Sequence, residues 1–191
     1  VQHAAPFFQK EAIVITGDFI DGVFVKGITK DRRAYMLRTK IVEGTASTDS
    51  MKGKPGILVG KRFADKMGLE LHDKLVLLGV NDISQLATAP KMQFVITGIY
   101  ETGMAEYYDD LFVFADIGAV RKLFLTGNGI NGFDVRCDDI SLVEATVDKL
   151  QNALGYPFDP RSVFDIFHNL FVWVDLQQDL KRLGFDAVGR A

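Results

Sequence analysis

The chain has 191 residues, 48% hydrophobic and 25% charged, a globular composition that excludes a disordered chain. It is long enough for one large domain or two small ones without a disulfide or metal staple. With 22 basic and 25 acidic residues the formal charge is −3, which lacks the cationic footprint of phosphate binding and excludes a nucleic-acid partner.

In chain order, residues 12–16 (AIVIT) and 22–28 (GVFVKGI) are β-branched and aromatic runs separated by Gly17, Asp18 and Asp21. They predict a hairpin. Residues 34–42 read as a short helix ending near Gly44, and the polar run 44–56 (GTASTDSMKGKPG) reads as a connection between two halves. A strand is expected at 57–59, then a helix at 61–67 with Phe63, Ala64 and Met67 on one face and Gly68 as its C-cap. Strands at 74–78 and 92–100 are joined by residues 79–91 (GVNDISQLATAPK), long for a hairpin loop. A strand at 111–114 precedes a helix at 115–123, and a strand at 133–137 precedes an amphipathic helix at 141–154. Residues 161–180 predict a longer helix, apolar on several faces through Phe164, Phe167, Phe171, Trp173 and Leu176. Such a helix must be covered on more than one side. Ser141 and Ser162 suit helix N-termini. The mixture of strands and helices gives an α+β fold class.

No stretch of about 20 mainly apolar residues is present to span a bilayer. The best candidate, residues 163–176, is interrupted by Asp165, His168, Asn169 and Asp175. The chain opens without Met and without a signal peptide, which predicts a piece of something longer.

Catalytic patterns fail one by one. Gly56-Ile-Leu-Val-Gly-Lys61 has three residues between its glycines and Arg62 after the lysine, so it is not a phosphate loop. His3, His72 and His168 have no ligand spacing, and no metal or cofactor is expected. Asp109-Asp110 and Asp138-Asp139 are adjacent pairs, which on a strand point to opposite faces and make no acid/base dyad. Cys137 is the sole cysteine and sits among acidic neighbours that oppose thiolate formation. No serine lies in a nucleophile elbow. The sequence therefore predicts a chain that is not an enzyme. What remains is the 79–91 loop, where Val80, Ile83, Leu86, Ala87, Pro90 and Lys91 are the candidate partner-binding residues.

Two segments carry a resemblance. Residues 56–78 (GILVGKRFADKMGLELHDKLVLL) and 98–124 (GIYETGMAEYYDDLFVFADIGAVRKLF) resemble the periplasmic domain of LolC/LolE-type lipoprotein-releasing ABC transporter permeases, within the wider MacB-type family. The matching positions are Ile57, Leu58, Gly60, Ala64, Gly68, Leu69, Asp73, Val76 and Leu78, then Gly98, Ile99, Thr102, Gly103, Met104, Glu106, Tyr107, Ala119, Leu123 and Phe124. The resemblance implies a two-part fold. A ferredoxin-like Porter half (1–43 and 116–191) would carry an inserted mixed α/β Sabre half (44–115). It also implies a noncatalytic role at the periplasmic face of a Gram-negative inner membrane. Its partners would be a cytoplasmic ABC ATPase, a second permease subunit, and a lipoprotein or a LolA-like carrier. The family's carrier-recruiting hook falls on the 79–91 loop, with its flanking pad on Val76, Lys91 and Met92. A MacB-like module for efflux or export through a periplasmic adaptor is the alternative.

Overall fold

The computed structural model describes residues 3–17, 19–30, 39–80, 88–103 and 108–167. These fall into two compact units, Ala4–Val135 and a second made of Arg136–Ala191 with Val1–His3.

The first unit opens with β1 (His3–Thr16) and β2 (Phe19–Ile28), an antiparallel hairpin registered from Phe8↔Gly27 to Thr16↔Phe19. Gly17 turns the chain with a φ of +52°, where glycine has no Cβ penalty. Then follow β3 (Ile41–Gly44), β4 (Gly56–Gly60), α1 (Lys61–Met67), β5 (Lys74–Gly79), β6 (Lys91–Tyr100), β7 (Phe112–Asp116), α2 (Ile117–Phe124) and β8 (Gly132–Arg136).

The strands join into one sheet. β2 pairs in parallel with β7, β7 antiparallel with β4, β4 in parallel with β6, and β6 antiparallel with β5. β5 returns antiparallel to β1, so these six strands form a closed circuit, with β3 attached to β6 and β8 to β1. Closure rests on the length of β1. Its residues Ala12–Ile15 pair with β2 on one side and with β5 on the other, Ala12 meeting both Val23 and Gly79. A closed circuit leaves its members no open edges. The sheet runs without a break through the segments that the sequence divides at 44 and 116.

Strand periodicity assigns the core. On β4, Ile57 and Val59 join the main cluster with Leu75, Leu77, Phe94 and Ile96, while Leu58 faces the other way. On β7, Val113 and Ala115 share the main cluster; Phe112 and Phe114 join Leu58, Ile28 and Tyr100 in a second one. Both strands are thus buried on both faces, which is why they read as continuous apolar runs. α1 contributes Phe63, Ala64 and Met67, and α2 contributes Val120, Leu123 and Phe124.

The α+β class and most elements follow the sequence pattern. Three expectations are corrected. Ile41 and Val42 are not helical but lie in β3, where Ile41 pairs with Tyr100 and packs on the second cluster; residues 31–38 lie outside the described residues. Ala115 and Asp116 finish β7 rather than opening the helix, because the Asp116 carboxylate accepts the Gly118 N–H at 2.9 Å and caps α2. Asp139, not Ser141, caps the turn before the 141–154 helix by accepting from the Ser141 N–H.

In the second unit a 3-10 turn (Ile140–Leu142) leads into α3 (Val143–Leu154), and α4 (Val163–Ile166) begins at a capping box between Ser162 and Asp165. The expected continuation to residue 180 lies outside the described residues, which end at 167. Among the described residues no helix is long and apolar enough to cross a membrane.

Candidate partner-binding site

The 79–91 loop leaves and rejoins a well-built platform. β5 and β6 pair down to Leu78↔Lys91, and the Gly79 N–H donates to the Pro90 carbonyl at 2.8 Å, closing the base. Gly79 also lies against α2. A Cβ there would stand 2.9 Å from the Leu123 carbonyl oxygen and 3.2 Å from the Phe124 ring. Glycine at this position lets the strand meet the helix backbone.

Of the six candidate residues, Val80 and Pro90 are half-buried at the base and Lys91 is exposed. Ile83, Leu86 and Ala87 lie outside the described residues. The flanking pad divides by strand periodicity. Val76 and Lys91 stand with Leu78 and Gln93 on the side of β5 and β6 away from the core, where Lys54 donates to the Gln93 amide oxygen. Met92 pairs with Leu77 and packs on the main core cluster. The pad thus keeps one cation, Lys91, and loses Met92 to the interior.

The paired carboxylates do not make a hydrolytic site. Asp109 is buried at 2% exposure. Its carboxylate accepts the Thr102 N–H at 2.9 and 3.1 Å, the Thr102 Oγ1–H at 2.7 Å and the Gly103 N–H at 3.3 Å. It is a clamp on the Thr-Gly turn after β6. Tyr100 fixes the other side of that turn, its hydroxyl lying 2.9 Å from the Tyr108 carbonyl and 2.8 Å from that of Phe112. Burial pushes the Tyr100 phenol well above its ordinary range, so it stays a neutral donor. The sequence reading missed this pairing; its signal was a Thr-Gly turn followed by an aspartate just before the next strand.

Asp110 points elsewhere, toward Arg62 at 3.8 Å and Lys66 at 3.9 Å. Lys66 in turn pairs with Asp21 at 2.6 Å. The Lys66 hydrogen bond, with help from the Gly22 N–H, holds the Asp21 carboxyl below 3.8, against a smaller opposing effect of desolvation. A carboxyl depressed in the folded state stabilises above its unfolded pKa, and that contribution is lost as pH falls through the folded value. We expect Lys66→Ala to move the Asp21 titration midpoint upward toward 3.8, followed by carboxyl-carbon NMR. An unmoved midpoint would dismiss the pair.

Gly60, which suggested a phosphate loop, is the strand-to-helix pivot between β4 and α1. His3 is half-buried and His72 exposed, while His168 lies outside the described residues. Among the described residues no three of His, Cys, Asp or Glu come together as a metal site.

No family model matches the chain, and no curated protein sequence matches it. Solved structures do. The extracellular domain of the noncanonic ABC-type transporter YknZ from Gram-positive bacteria aligns with a TM-score of 0.54 at 14% identity, over 80% of this chain and 75% of that one. The periplasmic region of MacB from Actinobacillus actinomycetemcomitans aligns with a TM-score of 0.50 at 14% identity, over 80% of this chain and 67% of that one. The chain therefore has the fold of the extracytoplasmic domains of ABC-type transporters.

Proposed function

We propose that this chain is the noncatalytic extracytoplasmic domain of an ABC transporter permease that releases lipoproteins from the inner membrane of a Gram-negative cell. The observation that carries the reading is the 79–91 loop, closed at its base by the Gly79–Pro90 hydrogen bond and braced on α2. In this reading a cytoplasmic ATPase supplies the energy and a second permease subunit completes the transporter. The chain relays the motion, and the loop meets a lipoprotein or a LolA-like carrier through Val80, Ile83, Leu86, Ala87, Pro90 and Lys91. The two-part Porter and Sabre division belongs to the same proposal.

Leu86→Asp puts a charge into an apolar contact, and a central apolar anchor contributes about 2 kcal/mol or more to binding. We expect it to weaken capture of a lipoprotein-loaded carrier more than tenfold while leaving the melting temperature within about 1 °C. Equal capture by both forms would remove the loop from the function. The likeness to MacB supports a second reading, an efflux or export module. It predicts capture of a periplasmic adaptor and indifference to the lipoprotein carrier.

A further inference from the structure

A groove of about 570 Å³ lies between α2 and the turn after it, lined by Gly118, Arg121, Lys122, Leu125, Gly127 and Asn128. We infer that this groove receives the carboxylate side chains of an acidic, apolar-anchored segment of a protein partner. The inference rests on the partner-docking reading above and gives that partner its chemistry.

The groove is built rather than incidental. Arg121 Nε donates to the Gly129 carbonyl at 2.7 Å, which fixes the guanidinium toward the turn it faces and leaves its two terminal NH₂ groups available. The turn is tied back to α2 by the Thr126 N–H to the Arg121 carbonyl at 3.1 Å. It is tied to β1 by the Asn131 N–H to the Phe7 carbonyl at 3.0 Å and the Gln9 N–H to Asn131 Oδ1 at 2.7 Å. A wall held to both α2 and β1 presents the Arg121 donors at a reduced ordering cost on binding.

The two cations, Arg121 and Lys122, have no carboxylate partner among the described residues, whereas Lys26, Lys30, Lys61, Arg62 and Lys66 all have one. The negative end of α2 offsets them only in part, because the Leu125 and Thr126 N–H groups already take up the Lys122 and Arg121 carbonyls.

Leu125 supplies the second, independent sign. It holds the left-handed C-cap position at φ +57°, a place where glycine is usual and a branched side chain is strained. It is also 76% exposed. A strained, exposed leucine beside two free cations selects an acidic segment that also carries an apolar residue. Two cations are fewer than the cluster of about four or more that holds an anionic bilayer, so a protein segment is the better occupant. Position agrees, since the Leu123 carbonyl and the Phe124 ring of the same helix brace Gly79 at the loop base.

The test is titration of the full chain with a fluorescein-labelled peptide of alternating Glu and Leu, and with its Gln/Leu counterpart, read by anisotropy. We expect the Glu/Leu peptide to bind about tenfold more tightly than the Gln/Leu one. We expect that advantage to vanish in Lys122→Glu, an exposed change that leaves the melting curve alone, and in Arg121→Gln/Lys122→Gln. The control Lys52→Gln/Lys149→Gln, with exposed lysines elsewhere, should bind as the parent does. Equal losses in the control would reduce the effect to net charge and overturn the proposal. So would anionic phosphatidylglycerol vesicles that bind through Arg121 and Lys122 while the peptide does not. Leu86→Asp should leave peptide binding unchanged. If groove variants fail to matter while Leu86→Asp still abolishes carrier capture, only the groove falls; if carrier capture never depends on Leu86, the loop reading falls by itself.

Discussion

Replacing Asp109 by alanine is expected to destabilise the chain by about 3 kcal/mol, a drop of roughly 6–12 °C in melting temperature for a chain of this size. The reason is the asymmetry of buried hydrogen bonds. The carboxylate takes the backbone N–H groups of Thr102 and Gly103 and the Thr102 hydroxyl, and alanine would leave those donors without an acceptor. Asp109→Asn, which keeps one acceptor oxygen, should cost about half as much. Urea unfolding of the three proteins orders them directly. An alanine variant as stable as the parent would mean that water replaces the carboxylate and that the clamp is ornamental.

Gly60→Ala should be of similar size, at least about 3 kcal/mol, for a different reason. The φ of Gly60 is −71°, which any residue adopts, so backbone preference contributes nothing. The cost is steric. A Cβ would stand 2.1 Å from the Asp109 carbonyl oxygen and 2.6 Å from two further backbone atoms of that residue, none of which can rotate aside. Gly68 makes the contrast. Its φ is +61° with open space around it, so alanine there costs only the left-handed preference, about 1 kcal/mol. Because Gly60 presses on the residue whose side chain holds the Thr102 turn, Gly60→Ala and Asp109→Ala should not add in the double variant. Strict additivity would show that the two act on separate pieces of structure.

The sequence showed those parts of the fold whose causes are local. The 61–67 helix is announced by Phe63, Ala64 and Met67 and stopped by Gly68, which adopts the left-handed cap expected of it. The doubly buried strands β4 and β7 are visible as unbroken apolar runs. Failures came where a distant partner decides. Ile41 and Val42 continue a helix-like pattern, yet Tyr100 offers Ile41 a strand partner and an aromatic cluster to pack on. The first nine residues of β1 carry Gln9, Lys10 and Pro6 and show no clean alternation, so only its final residues were legible. That β1 closes a circuit could not be read at all, because pairing with both β2 and β5 is a property of the whole sheet.

At the site, a long connection between two strands was evident from length and composition (GVNDISQLATAPK), although its end residues Gly79 and Lys91 belong to β5 and β6. The roles of Met92 and Asp109 were not. Strand parity sends Met92 inward, and only the fold brings Asp109 under Thr102. Arg121 and Lys122 looked like the polar face of a short helix. Nothing in their spacing reveals that the turn after them curls back to form a wall.

The double membership of β1 also has a mechanical meaning. A pull applied along that strand from its Ala4–Phe7 end would load the nine residue pairs with β2 and the four with β5 together, in shear. Hydrogen bonds loaded in shear must break almost as a group, whereas those at a frayed edge part singly. A strand gripped on both flanks therefore passes tension into the whole ring before it yields, and the ring moves as one piece.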